Sequence, residues 1–152
     1  MPEISLLNRQ RTRTIDLQPL SRFARRALEK VEALERIPLP AEIVAVLVSD
    51  RRISAMHLRF MQIAGPTDVI TFQHGEIIIS IETAYRQATQ LGKDLVEELC
   101  LYLLHGLLHL AGYDDTTKSG FREMERLQRK LMREIGDRKP KGAPKRSDGG
   151  TP

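Results

Sequence analysis

The stretch His105-Gly106-Leu107-Leu108-His109-Leu110-Ala111-Gly112-Tyr113-Asp114-Asp115 decides how this chain is read. Two histidines four apart on a helix share one face. Gly112, three residues after the second, can take the left-handed conformation that ends a helix and turns the chain back, so that Asp115 returns to the same point. His105, His109 and Asp115 then offer two nitrogen ligands and one oxygen ligand to a metal and leave a position open. Such a set resembles a catalytic site with room for water or substrate, whereas a structural zinc site is closed by four protein ligands.

A histidine pair at helical spacing is ordinarily satisfied by hydrogen bonds, and an aspartate such as Asp115 ordinarily serves as a loop carboxylate or a helix cap. Here the flanks change the balance. Leu99, Leu101, Leu103, Leu104, Leu107, Leu108 and Leu110 are apolar nearly all round, which predicts a helix buried in the core. Two imidazoles in that setting need partners, and one metal serves both. In the zinc peptidase signature His-Glu-x-x-His, the glutamate after the first histidine is the general base. Position 106 is glycine, so that base is absent. The full spacing from His105 through Gly112 to Asp115 matches the longer metzincin pattern with Asp in place of its third His. A related, metzincin-like geometry serving chemistry other than peptide hydrolysis is therefore expected.

At 152 residues the chain fits one domain with a real core. The single cysteine, Cys100, lies among the leucines and reads as a small apolar filler. No signal-type segment opens the sequence and no stretch approaches the roughly 20 apolar residues that cross a membrane, so a soluble cytoplasmic protein is expected. Of the net charge of +4, residues 137–152 carry +3 through Arg138, Lys139, Lys141, Lys145 and Arg146 against Asp137 and Asp148. That segment has no aliphatic residue beyond Ala143 and is predicted to be a basic disordered tail behind a single domain over 1–136. The first 36 residues are also rich in arginine, which reads by default as a solvated helix face. There is no internal repeat and no Gly-rich phosphate loop.

The predicted architecture is α+β, a small mixed sheet packed by about five helices with the metal site on a buried helix. Residues 2–8 read as a strand. An amphipathic helix follows over about 18–36 through Leu20, Phe23, Ala24, Leu28, Val31 and Leu34, ended by Pro38 and Pro40. Residues 41–48 form a β-branched run, and Ser49-Asp50 caps a helix over about 51–62. After the turn Gly65-Pro66-Thr67-Asp68, strands over 69–72 and 76–81 pair as a hairpin across His74-Gly75. Helices are predicted at about 82–91, 94–111 and 117–135, the last with Phe121, Met124, Leu127, Leu131 and Ile135 as its core stripe.

With these motifs in place, the chain resembles the YbeY family of bacterial rRNA-maturation endoribonucleases. The resemblance rests on Gly65-Pro66-Thr67-Asp68-Val69-Ile70-Thr71-Phe72, then Gly75-Glu76-Ile77-Ile78-Ile79-Ser80, then His105 to Asp115, and spans roughly residues 40–135. It implies one divalent metal, usually zinc, and a single-strand endoribonuclease acting on rRNA of the small ribosomal subunit, in 3′-end maturation and ribosome quality control. Neither DNA nor membrane is an expected partner. The family motif usually closes in Tyr-Asp-His, where this chain has Tyr113-Asp114-Asp115. Zinc accepts Asp as well as His, although a harder ligand set shifts metal preference. Many members carry Arg five residues before the proline of the turn. This chain has Met61 there, with Arg59 as a weak substitute for phosphate binding, and Glu76 stands where Asp is common.

A metal on the three ligands can activate water or act as a Lewis acid. No general acid, base or nucleophile is assigned, because His57 reads as a residue of a surface helix and His74 as a turn residue. The competing readings are a metal-dependent hydrolase of another substrate class, such as an atypical peptidase, and a ribosome assembly factor whose metal is structural.

Overall fold

The computed structural model describes residues 1–136; the basic segment 137–152 lies outside the described residues. The elements in chain order are β1 (Glu3–Asn8), α1 (Gln18–Glu32), β2 (Glu42–Val48), α2 (Asp50–Met61), β3 (Val69–Phe72), β4 (Glu76–Ser80), α3 (Ile81–Leu91), α4 (Leu95–Leu110) and α5 (Lys118–Gly136). The four strands make one mixed sheet in the order β1-β2-β4-β3. β1 and β2 run parallel, as do β2 and β4, while β3 returns antiparallel along β4 with Phe72 opposite Glu76. Parallel neighbours need a crossover, and α1 supplies the one between β1 and β2.

The central strands are buried on both faces, which is why β2 reads as a continuous apolar run. Ile43, Ala45 and Leu47 of β2 and Ile77 and Ile79 of β4 face the main core, built with α1, α3, α4 and α5. The alternate residues Val46, Val48 and Ile78, with Ile70 of β3, face a smaller core closed by Ile53 of α2. Helix α4 lies deep in the larger core, with Leu99, Leu103, Leu104, Leu107 and Leu108 all fully buried. Each such side chain contributes about 1.5–3 kcal/mol relative to exposure, so the helix that carries the histidines is a rigid platform. Cys100 is buried there as predicted, and burial pushes its thiol up to about 12, with Glu97 and Asp94 adding to the effect.

Two predicted features differ. Helix α1 ends at Glu32, ahead of residue 36, and neither proline ends it. Residues 34–37 leave the helix because the turn after α4 recruits them. The amides of Arg36 and Ile37 both donate to the Ala111 carbonyl, at 2.8 and 3.2 Å, and Tyr113 Oη donates to the Leu34 carbonyl at 2.7 Å. The core stripe of α5 also begins one turn late. Met124, Leu131 and Ile135 are buried, but Phe121 is 50% exposed, because the first turn of α5 stands beside the loop from Asp114 to Thr117 outside the core.

Candidate metal centre

Gly106 shows why α4 sits where it does. A Cβ at this position would lie 2.6 Å from Ile77 Cγ2, so the helix approaches β4 across a bare backbone. The position of the peptidase glutamate is therefore turned against the sheet and has no room for any side chain. His105 and His109, on the adjoining face, meet edge to face with ring centroids 4.5 Å apart.

The turn that follows brings the carboxylate back. Gly112 has φ of +99°. Its amide donates to the His109 carbonyl at 3.0 Å and the Tyr113 amide to the Leu108 carbonyl at 3.0 Å, the paired bonds of a Schellman ending. Beyond it, Asp114 accepts from the Thr116 amide at 3.1 Å and the Thr116 hydroxyl at 2.9 Å, and these bonds hold its carboxyl below the usual range. Thr117 Oγ1 caps α5 by accepting from the Gly120 amide at 3.0 Å. A Cβ on Gly120 would stand 2.3 Å from the Asp114 carbonyl, so α5 starts hard against the loop. Asp114 is thereby spent on the local turn, and Asp115 is the carboxylate directed at the histidines.

His105 Nε2 and His109 Nε2 are 3.0 Å apart, and the Asp115 oxygens lie 3.4 Å from the first and 3.6 Å from the second. Tetrahedral coordination with ligand distances of about 2.0–2.2 Å places neighbouring ligand atoms about 3.3–3.6 Å apart. The two contacts to the Asp115 carboxylate, Oδ2 to His105 and Oδ1 to His109, fall in that range, the two nitrogens stand slightly closer, and the three side chains converge closely enough to share one ion. Their protonation agrees. Gln128 Oε1 of α5 lies 2.5 Å from His105 Nδ1, and as an acceptor it places the ring proton on Nδ1 and leaves Nε2 with a lone pair. Burial, followed by the neighbouring His105, lowers the pKa of His109 against the pull of Asp115, Asp114 and the Tyr113 backbone, so this imidazole is neutral at pH 7. His105 Nε2, His109 Nε2 and the Asp115 carboxylate are all atoms that ligate a cation, and one cation can engage all three side chains. Among the described residues, no other group of three such side chains converges in this way.

The centre is open on one side. Side-chain exposures of 24% for His105, 26% for His109 and 29% for Asp115 leave a face accessible. A cleft of about 250 Å³ reaches the histidines between the end of α2 and the edge strand β3, with Met61, Thr71 and Gln73 on its walls. Arg59 is not among the lining residues. It is exposed, with its guanidinium 5.4 Å from the Phe60 ring centroid. His57 Nδ1 lies 3.0 Å from the Gly65 carbonyl, while His74 stacks on Phe72 and meets Glu76 Oε1 at 2.9 Å. Neither reaches the centre. Gln128 escaped the sequence reading, yet it carries a signal: it is a polar residue four after Met124 and three before Leu131, in line with the buried face of α5.

The family model described as Endoribonuclease YbeY matches residues 5–136. The chain is 32% identical to Endoribonuclease YbeY of Moorella thermoacetica, over 90% of this chain and 99% of that protein. It is 34% identical to Endoribonuclease YbeY of Thermobifida fusca, over 73% and 82% respectively. Among solved structures it is similar to the solution structure of TM1509 from Thermotoga maritima, at 26% identity and a TM-score of 0.63, covering 89% of this chain and 90% of that one.

Proposed function

The chain belongs to the YbeY endoribonuclease family, and from that premise we propose that it is a metal-dependent endoribonuclease cutting single-stranded RNA in the maturation of small-subunit rRNA and in ribosome quality control. Its working compartment is then the cytoplasm and its partner the small ribosomal subunit. The observation that carries the reading is the convergence of His105, His109 and Asp115, whose two histidines line an open cleft. One divalent ion, zinc in the first instance, is the proposed cofactor, and it supplies Lewis acidity towards a phosphodiester when bound.

The chain's own residues do the remainder. Gln128 holds the proton of His105 on Nδ1 and so keeps Nε2 available. Burial keeps His109 neutral. Gly106 excludes a glutamate base, which disfavours an atypical peptidase, and three ligands with an open face disfavour a purely structural metal. Arg59 is proposed as an outlying phosphate contact on the α2 side. The 1–136 body is the proposed catalytic domain, with 137–152 as an added source of RNA affinity.

The test is cleavage of a defined single-stranded RNA with and without a chelator, followed by metal readdition. Cleavage that stops with chelation and returns with a divalent ion is expected. Cleavage indifferent to chelation, or none with the metal-loaded chain, overturns the proposal.

A further inference from the structure

Phe121 stands half exposed at the start of α5, in a position that its helical stripe would otherwise bury. It lines a cleft of about 340 Å³ with Asp115, Thr116, Thr117, Lys118 and Arg122. This cleft therefore begins at a ligand of the candidate metal centre and is walled by one aromatic ring and two cations. Thr117 and Arg122 also line a larger cleft of about 630 Å³, together with Arg36 and Arg126. Arg36 is engaged by Glu123. Among the described residues no ion pair includes Lys118, Arg122 or Arg126. These three recur every fourth residue and so form a row along one face of α5, about 6 Å of helix rise from one to the next.

We infer that Phe121 and the row Lys118, Arg122 and Arg126 form a single-strand RNA subsite next to the metal centre. The base beside the scissile phosphodiester stacks on the Phe121 ring, and the phosphates leading away from it follow the cations along α5. Sequence-independent single-strand binding needs these two components, an aromatic face that accepts any base and a basic groove that tracks the backbone. Glu123 is paired with Arg36, and the cations lining the two clefts, Arg36, Lys118, Arg122 and Arg126, outnumber the carboxylates there, Asp114, Asp115 and Glu123, so the surface keeps a positive excess. A lone ring amid charges suits a nucleic acid better than a protein partner, whose contact would have a core depleted in charged residues. The inference rests on the endoribonuclease reading and adds to it where the strand lies.

The test measures binding of the zinc-loaded full-length chain to a short 2′-O-methyl oligoadenylate, which resists cleavage, and to a strand of equal length without bases. Phe121→Ala weakens oligoadenylate binding about 10-fold and leaves the abasic strand unaffected, and Phe121→Trp restores the affinity. Arg122→Ala and Arg126→Ala each flatten the logarithmic salt dependence by about 0.7. Metal content and thermal unfolding are followed in every variant to show that fold and centre are intact. Unchanged oligoadenylate binding by Phe121→Ala, or equal loss on both strands, overturns the subsite and leaves the endoribonuclease reading standing. Failure of the unsubstituted chain to bind RNA overturns both.

Discussion

At position 115 the chain presents a carboxylate where the motif it resembles ends in histidine, and its neighbour at 114 is a second carboxylate. The two are told apart by what each touches. Asp115 faces both Nε2 atoms, and Asp114 accepts from Thr116. Asp115→His should therefore keep the metal. Asp115→Ala should weaken it by more than the ~10–100-fold that follows loss of an outer hydrogen-bonding partner, and Asp114→Ala should have a smaller effect. A competition titration against a chromogenic chelator ranks the three variants, and the reverse order for the two alanines would identify Asp114 as the ligand. Gln128 gives a second test. Gln128→Leu preserves the bulk of the side chain but removes the acceptor for His105 Nδ1, so metal affinity should fall about 10–100-fold with little change in fold. Unaltered affinity in that titration would show that the contact does not position the ring.

Among the elements, α2 and α3 are joined at their N-termini by Asp50. Its carboxylate accepts from Ser80 Oγ at 2.6 Å, Thr83 Oγ1 at 2.7 Å and Arg86 Nη1 at 2.6 Å. Partial burial raises its pKa, but the hydrogen bonds from Ser80, Arg86 and Thr83 outweigh that and hold the carboxyl below its usual range. A lowered carboxylate pKa means that the unfolded chain binds more protons, so this stabilisation is complete above the unfolded value near ~3.9 and is lost as pH falls through the folded one. Asp50→Asn should destabilise by about 1–3 kcal/mol at neutral pH. Urea unfolding across a pH series should show the gap to the unsubstituted chain closing below pH ~4, and a gap independent of pH would contradict the ionic role. What the sequence made legible among the elements is what local pattern controls: the apolar circumference of α4, the Ser49 cap of α2, and the glycine that turns the chain back to Asp115. The missed features have tertiary causes. Residues 34–37 leave α1 to bind the end of α4, and Phe121 lies outside the core because α5 begins against the Asp114 carbonyl. Gln128 was hidden because its partner stands 23 residues away.

At the scale of the whole molecule, the described residues 1–136 contain the candidate centre, and residues 137–152 carry +3 of the +4 net charge. Deleting residues 137–152 should leave thermal unfolding, metal content and cleavage at saturating RNA intact. It should lower general RNA affinity and flatten its salt dependence by about 0.7 for each phosphate that the segment no longer neutralises. Single-turnover cleavage with a salt series of binding curves checks this, and loss of metal or of saturating cleavage would place the segment within the active structure. The candidate centre lies within the described residues, where His105, His109 and Asp115 are the proposed ligands of one divalent ion. Two remaining ligands hold such an ion poorly, and binding to the folded state alone also stabilises it. The most direct measurement is elemental analysis of the purified chain beside His105→Ala and His109→Ala. One divalent ion per unsubstituted chain, with most of it lost from either variant, is the predicted result, and full occupancy in either variant would contradict the assignment.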